Sequence, residues 1–126
     1  MPIVAIGLDL ARIDRLEAVY ARHRERFLER IFTAGERSYC DKRASRMASY
    51  AGRFAVKEAV MKALGTGWSN GVTWREIEVS RQSGAAPQLI LHGMTARIAR
   101  MKGINRFHIT ITHDGGIAAA VVVAES

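Results

Sequence analysis

The chain has 126 residues and a hydrophobic fraction of 48%, which fits one domain over residues 1–126 and excludes a disordered protein. Nineteen Lys and Arg against twelve Asp and Glu give a net charge of +7, so we expect an anionic partner. A single cysteine, Cys40, excludes an internal disulfide and a thiolate zinc cluster. The start of the chain lacks a basic leader and a membrane-spanning run, so we expect a soluble, cytoplasmic protein.

The first predicted element is a strand over residues 3–11, IVAIGLDLA. Its alternation places the larger apolar side chains on one face and Ala5, Gly7 and Asp9 on the other. The small side chains leave room beside Asp9 for a ligand, and equally for a packed helix.

Helical patterns follow this strand. Residues 12–32 read as helical with at least one break, and the capping box TAGE at residues 33–36 predicts a short helix to about Lys42. The main helix is predicted over about 45–64, with Gly65 as its C-terminal stop.

The second half of the chain is mostly extended in its pattern. We predict strands over 75–81 and 88–93 joined by a turn at 83–87, a helix over 94–103, and a hairpin of 107–113 with 116–125. This order predicts an α+β fold, a mainly antiparallel sheet packed with one long helix and shorter helices.

The main helix carries charges that do not form one polar face. At about 100° per residue, Glu58 and Lys62 lie on one side, while Arg53 and Lys57 lie roughly opposite, with apolar sectors between them. A helix that is apolar on two sides is packed on two sides, so these charges belong in a groove or an interface. Lys57 then serves a ligand or a neighbouring subunit. An ordinary i,i+4 pair of Glu58 and Lys62 on a surface helix fits the pattern as well.

Several of these residues suit phosphate chemistry. Asp9 and Glu58, if the fold joins them, offer oxygen ligands to a Mg²⁺ that completes its shell with water and substrate phosphates. Separate ion pairs explain both residues equally. Backbone N–H groups at Gly65 and Thr66 suit an anion, although a plain helix cap also accounts for Gly65. His113 ends a strand as a phosphate donor, a proton carrier or a polar edge residue.

Four arginines form a stripe on the first helical run if that run is continuous. Arg12, Arg15, Arg22 and Arg26 fall within about 80° of one another, with Val19 among them. The stripe suits an acidic helix of a partner protein, the phosphate backbone of a nucleic acid, or a solvated face.

Two segments together resemble a known family. Residues 7–17, GLDLARIDRLE, match its N-terminal pattern GxDxxxIxRxE, and residues 53–67, RFAVKEAVMKALGTG, match its pattern RFxxKEAxxKALGTG. Residues 30–36 and the end of the chain from Thr112 extend the likeness over essentially the whole sequence. The family is holo-(acyl-carrier-protein) synthase, a group of phosphopantetheinyl transferases.

The resemblance implies a reaction in which the phosphopantetheine arm of coenzyme A passes to a serine of an apo acyl carrier protein. Adenosine 3′,5′-bisphosphate is the expected second product. It also implies a homotrimer with active sites between protomers, and no nucleic-acid or membrane partner. A basic nucleic-acid-binding module of the same fold would explain the net charge, but not Asp9 and Glu58.

The resemblance also assigns roles by motif position. Asp9 and Glu58 bind Mg²⁺, and with Lys62, which acts at the reacting phosphates, they form the catalytic set. We expect Glu58 to accept the serine proton, directly or through a water molecule. The remaining assignments are contacts to coenzyme A at Arg53, Gly65, Thr66 and His113, and contacts to the carrier protein at Arg15 and Arg22.

The chain departs from the family pattern at three positions. Thr110 and Thr112 stand where serine is common, and both keep a hydroxyl group. Trp68 stands where a smaller apolar residue is usual, which alters the expected shape of the nearby pocket.

Overall fold

A computed structural model describes residues 2–67, 71–82 and 84–126. The elements in chain order are β1 (Ile3–Arg12), α1 (Ile13–His23), α2 (Glu25–Ile31), α3 (Ala34–Asp41), α4 (Arg46–Leu64), a 3-10 turn (Trp74–Glu76), β2 (Ile77–Ser80), β3 (Gln88–Leu91), α5 (Gly93–Met101), β4 (Arg106–Asp114) and β5 (Ile117–Glu125).

The strands form two antiparallel sheets. The larger sheet has the order β1-β5-β4, and the smaller pairs β2 with β3. In the larger sheet Asp9 of β1 lies opposite Ala120 of β5, the central strand. His113 of β4 lies opposite Ala118 of the same central strand. The predicted α+β class with an antiparallel sheet is confirmed.

Helix α4 crosses one face of the larger sheet at very short range. A Cβ on Gly7 would collide with the carbonyl oxygen of Ala59, and a Cβ on Gly52 would lie 2.9 Å from Cγ2 of Ile111. Both glycines therefore allow close packing, one against β1 and one against β4. The helix fills the space at Gly7, whereas Asp9, further along the same face of β1, lines an open groove.

The opposite face of the larger sheet is open, and it is apolar on β1 and β5, while β4 adds the exposed His108, Thr110 and Thr112. On β1, Ile6 is 62% exposed, Leu8 56% and Leu10 63%. The residues of β1 that alternate with these three lie on the face towards α4 and are buried or half-buried. Val121 and Val123 of β5 lie directly beside Leu8 and Ile6 in the register. We refer to this surface as the open sheet face.

The other side of α4 packs against α3 and β2, and Phe54 stacks on Trp74 of the 3-10 turn. Tyr50, Val56 and Val60, which lie in different sectors of α4, are fully buried, so the predicted two-sided packing is confirmed. The capping box is present as predicted: Thr33 accepts from the N–H of Glu36, and Glu36 accepts from the N–H of Thr33.

Most predicted boundaries are confirmed within one or two residues, with two differences. The predicted helical run 12–32 breaks at Arg24, where φ is 50°, and Arg12 belongs to β1. The predicted strand 75–81 begins only at Ile77, because Trp74–Glu76 form a 3-10 turn. Part of the predicted 83–87 turn, Ser83, lies outside the described residues, as does Trp68.

Candidate active site

Three predicted residues meet where α4 crosses β1. The ammonium of Lys62 lies 2.8 Å from Oδ1 of Asp9 and donates to the carbonyl of Leu8 at 3.1 Å. Lys62 therefore pairs with Asp9 on the neighbouring strand, and not with Glu58 one turn back on its own helix. The fit of Gly7 against Ala59 brings the two elements close enough for this contact.

Glu58 shares a groove with Asp9. This acid groove is lined by residues of β1, α1, α2 and α4, including Asp9, Arg15, Val19, Phe54 and Glu58. Burial raises the pKa of the Glu58 carboxyl above its usual 4.5, the charge of Asp9 raises it further, and Lys62 opposes both. A carboxyl group with a raised pKa binds a proton more readily than an ordinary surface glutamate.

The acid groove has two of the features required of a Mg²⁺ site. Two carboxylates, from Asp9 and Glu58, line it together, and it is open to solvent for further ligands. Among the described residues no cluster of three or more His, Cys, Asp or Glu side chains is found. Mg²⁺ is commonly held by one or two carboxylates, with water and substrate phosphates filling the other positions, so these residues fit that ion.

A second groove lies at the other end of α4. It is lined by Lys42, Arg43, Ser45, Ser49 and His113, and we call it the cationic groove. Nε2 of His113 donates to the carbonyl of Ala48 at 2.8 Å, which fixes the imidazole ring beside α4. Sequence reasoning missed Lys42 and Arg43, whose only signal was a pair of adjacent basic residues in a short helix connection.

Arg53 is placed differently from the residues that line the grooves. Its side chain is buried, with the guanidinium 4.2 Å from the ring centroid of Tyr39 and Nη1 donating to the carbonyl of Ser49. Within the described residues, Nε and Nη2 are buried and have no hydrogen-bond partner. Arg53 thus lies behind Ser49 of the cationic groove, and its contact to coenzyme A remains a prediction.

Gly65 and Thr66 use their backbone donors in the helix cap. The N–H of Gly65 donates to the carbonyls of Met61 and Lys62, and the N–H of Thr66 donates to Met61. Gly65 has the left-handed conformation, with φ of 74°, that ends helices. These two N–H groups are therefore engaged within the chain, and the roles of Gly65 and Thr66 at coenzyme A remain predictions.

The predicted arginine stripe is wrong as a continuous helical face. The break at Arg24 separates Arg26 from α1, and Arg12 ends β1, where it pairs with Asp14. Of the two arginines assigned to the carrier protein, Arg15 lines the acid groove. Arg22 is exposed further along α1 and does not line that groove.

The expectation that Lys57 serves a ligand or a neighbouring subunit is also wrong. Its ammonium is fully buried, lies 2.8 Å from Oε1 of Glu36, and donates to the carbonyls of Trp74 and Ile77. Glu36 in turn accepts from the N–H of Val79 at 2.8 Å. The helical wheel correctly separated Lys57 from Glu58, but this second sector is occupied by the chain's own core.

Cys40 is fully buried, and burial raises the pKa of its thiol to about 12. A thiol with this pKa is not a nucleophile at neutral pH.

Comparison with known proteins connects this geometry to a family. The family model for the 4′-phosphopantetheinyl transferase superfamily matches residues 5–121. The chain belongs to that superfamily. It is 47% identical over 126 residues to holo-[acyl-carrier-protein] synthase from Anaeromyxobacter dehalogenans, covering 98% of this chain and 96% of the relative. The motif resemblance and the enzyme class stated from the sequence are thereby confirmed.

Two solved synthases share the fold of this superfamily member. The holo-[acyl-carrier-protein] synthase from Neisseria meningitidis matches with a TM-score of 0.90 at 27% identity. The match covers 99% of this chain and 100% of the Neisseria chain. The synthase from Helicobacter pylori, solved in complex with coenzyme A, matches with a TM-score of 0.83 at 33% identity, covering 95% and 99%. No helix among the described residues is long and apolar enough to span a membrane.

Proposed function

We propose that this chain transfers the phosphopantetheine arm of coenzyme A to a serine hydroxyl of an apo acyl carrier protein. The products are holo acyl carrier protein and adenosine 3′,5′-bisphosphate. The observation that carries the proposal is the open groove that Asp9 and Glu58 line together, with Lys62 bonded to Asp9. Support also comes from the name of the Anaeromyxobacter relative and from the coenzyme A complex of the Helicobacter protein.

The reaction is attack of a hydroxyl on an anionic pyrophosphate, so it needs charge neutralisation and removal of a proton. Asp9 and Glu58 would hold a Mg²⁺, which would neutralise charge on the pyrophosphate. Lys62 supplies a further cation that orients the phosphates. Glu58 accepts the proton of the attacking serine hydroxyl, directly or through a water molecule.

The cationic groove is the proposed site for the nucleotide end of coenzyme A. Lys42 and Arg43 provide positive charge for a phosphate, while Ser45, Ser49 and His113 provide polar groups beside it. Arg53, with two buried guanidinium nitrogens lacking a partner in the described residues, adds positive charge behind this groove.

We further propose that the chain works as a homotrimer with each active site shared between protomers. Ser49 of the cationic groove and Glu58 of the acid groove lie nine residues apart on α4, about 180° around it. One protomer therefore presents its two grooves in opposite directions. The open sheet face offers an apolar surface that a monomer would leave in water, and such patches mark interfaces. Sedimentation of the wild type and of Ile6→Glu, which puts a charge on that face, tests the assembly.

The proposed acceptor is an acidic acyl carrier protein. The net charge of +7 and the position of Arg15 at the mouth of the acid groove support an anionic partner that delivers its serine to Glu58. The apolar side chains of Val19 and Phe54 in the same groove provide contact area for such a partner.

Intact mass spectrometry tests the reaction directly. The protein is incubated with apo acyl carrier protein, coenzyme A and Mg²⁺, and the carrier should gain the mass of one phosphopantetheine arm. EDTA should prevent the gain. No mass change, in a carrier sample that a different phosphopantetheinyl transferase modifies fully, would contradict the proposed function.

A further inference from the structure

Lys62 already occupies the cation position that the proposed function assigns to a metal. Its ammonium is hydrogen-bonded to Oδ1 of Asp9 and to the carbonyl of Leu8. The Asp9 side chain is only 12% exposed, whereas the Lys62 side chain is 57% exposed. The lysine thus reaches in from solvent to a carboxylate that is otherwise largely enclosed.

An ammonium and a divalent ion cannot share this carboxylate at no cost. Mg²⁺ binds oxygen at about 2.0–2.1 Å and requires a nearly ideal octahedral shell, so the ion and its other ligands occupy the space around the oxygen that it binds. The two cations also repel each other at this short distance. Lysine has a flexible four-carbon stem, and the exposure of Lys62 leaves it free to move away.

We propose that Lys62 is a displaceable occupant of the divalent-ion site. In the metal-free protein its ammonium neutralises Asp9, and an incoming divalent ion releases it toward the phosphates of the donor substrate. The inference rests on the proposed function for its metal and its phosphates. It adds an order of events. The ion and the ammonium of Lys62 compete for Asp9, so the ammonium that later contacts the phosphates is bound at the metal site before the ion arrives.

The competition has a measurable consequence for metal affinity. Removing the ammonium should tighten binding of a divalent ion to the free protein, because the ion no longer has to break the contact between Lys62 and Asp9. This differs from the behaviour of a lysine that acts only on the substrate, whose removal would leave the metal affinity of the substrate-free protein nearly unchanged.

Mn²⁺ is a suitable probe, because its unbound fraction is read directly by electron paramagnetic resonance without any turnover. We expect Lys62→Met to bind Mn²⁺ about tenfold more tightly than the wild type, within the usual range of coupling between two sites. Arg15→Met is the matched control: it removes a cation that lines the acid groove, whereas Lys62 is bonded directly to Asp9, and it should change affinity by less than about twofold. Asp9→Asn should lose most of the binding.

A second measurement follows the wild type itself. In a sample with ¹⁵N-labelled lysines, the Nζ signal of Lys62 is assigned by its absence in Lys62→Met. Addition of Mg²⁺ should shift this signal, whereas the signal of Lys57, enclosed in its own ion pair with Glu36, should stay in place.

The outcomes separate this inference from the proposed function. Mn²⁺ binding that depends on Asp9 but is equal or weaker in Lys62→Met, with a stationary Lys62 signal, overturns the displacement and leaves the proposed metal site standing. Absence of Asp9-dependent Mn²⁺ binding in every variant overturns both. An equal increase of Mn²⁺ affinity in Lys62→Met and Arg15→Met would mean that only the loss of a nearby positive charge matters. That result also contradicts displacement.

Discussion

Helix α4 carries two lysines, five residues apart, whose ion pairs have the same length and opposite surroundings. The Lys57 and Glu36 side chains are 2.8 Å apart and both 0% exposed. The Lys62 and Asp9 side chains are also 2.8 Å apart but 57% and 12% exposed. A distance criterion alone would treat the two pairs as equivalent.

The difference lies in how many protein partners each pair has. Lys57 donates to Glu36 and to two backbone carbonyls, while Glu36 also accepts from the N–H groups of Thr33 and Val79. That network joins α3, α4, the 3-10 turn and β2, and it leaves no room for a ligand. Asp9 lines an open groove and Lys62 reaches it from solvent, so both can exchange partners. One pair therefore belongs to the core of the fold, and the other lies at the site that we propose for the chemistry.

The largest expected effect comes from breaking the buried pair. Lys57→Met leaves the Glu36 carboxylate buried with no cation, and loss of one member of a buried pair typically costs about 3–5 kcal/mol. Urea unfolding should show this loss as a lower midpoint, while Lys62→Met, the matched change on the open side, should keep the wild-type midpoint. Adding Glu36→Gln to Lys57→Met should recover part of the loss. Similar urea midpoints for the two single variants would mean that the buried pair and the open pair contribute equally to stability, which contradicts the comparison of their surroundings.

The second effect concerns turnover on the open side. Glu58→Gln keeps the shape of the side chain but removes the proton acceptor, and such groups typically contribute about 10²–10⁴-fold to rate. Turnover is followed as the rate of carrier-protein modification, with circular dichroism to confirm folding. Glu29→Gln, an exposed position on α2, is the control with the same charge change. Turnover like that of the wild type in excess Mg²⁺ would contradict the role of Glu58.

The third effect is on the carrier protein. Arg15 lines the acid groove and Arg22 does not, so Arg15→Glu should raise KM for the carrier more than Arg22→Glu. We expect about tenfold for Arg15→Glu, the effect of roughly 1.4 kcal/mol, with little change in affinity for coenzyme A. Added salt should weaken carrier binding by the wild type and reduce the difference between variants. An unchanged KM for the carrier protein in both variants would mean that Arg15 and Arg22 are solvent-exposed residues that do not contact the carrier protein.

Sequence reasoning predicted the local features of this fold well, because they depend on short-range signals. The capping box, the glycine at the end of α4 and the alternation of β1 are each set by residues within a few positions of one another. The break at Arg24 was not located, because neither glycine nor proline marks it. Residues 75 and 76 of the 3-10 turn were read as strand for a similar reason, since the pattern around Ile77 extends back through them.

The site was harder to predict from pattern, because it depends on contacts between distant elements. A helical wheel separates Lys57 from Glu58 by about 100° but does not state which side meets the core and which meets solvent. Glu36 gave only its helix-capping signal, although its second oxygen and its ion pair hold the core together. The pairing of Asp9 with α4 came from the family resemblance and not from spacing.

The smallest expected effect tests the open side through stability and pH. The raised pKa of Glu58 means that the folded protein binds this proton more tightly than the unfolded chain does. The ionised carboxylate therefore lowers the stability of the metal-free protein above that pKa, and the penalty disappears as pH falls through it towards the ordinary value of 4.5. Glu58→Gln should thus be slightly more stable than the wild type at pH 7, and the difference should shrink as pH falls towards 4.

Urea unfolding of both proteins in EDTA at the two pH values measures this difference. Addition of Mg²⁺ at pH 7 should then stabilise the wild type more than Glu58→Gln, because an ion that binds only the folded state stabilises it more when it binds more tightly. A variant less stable than the wild type at pH 7 without metal would mean that Glu58 supports the fold, as Glu36 does. The reverse order would show that Glu58 is kept at a cost to stability, as expected of a group retained for chemistry.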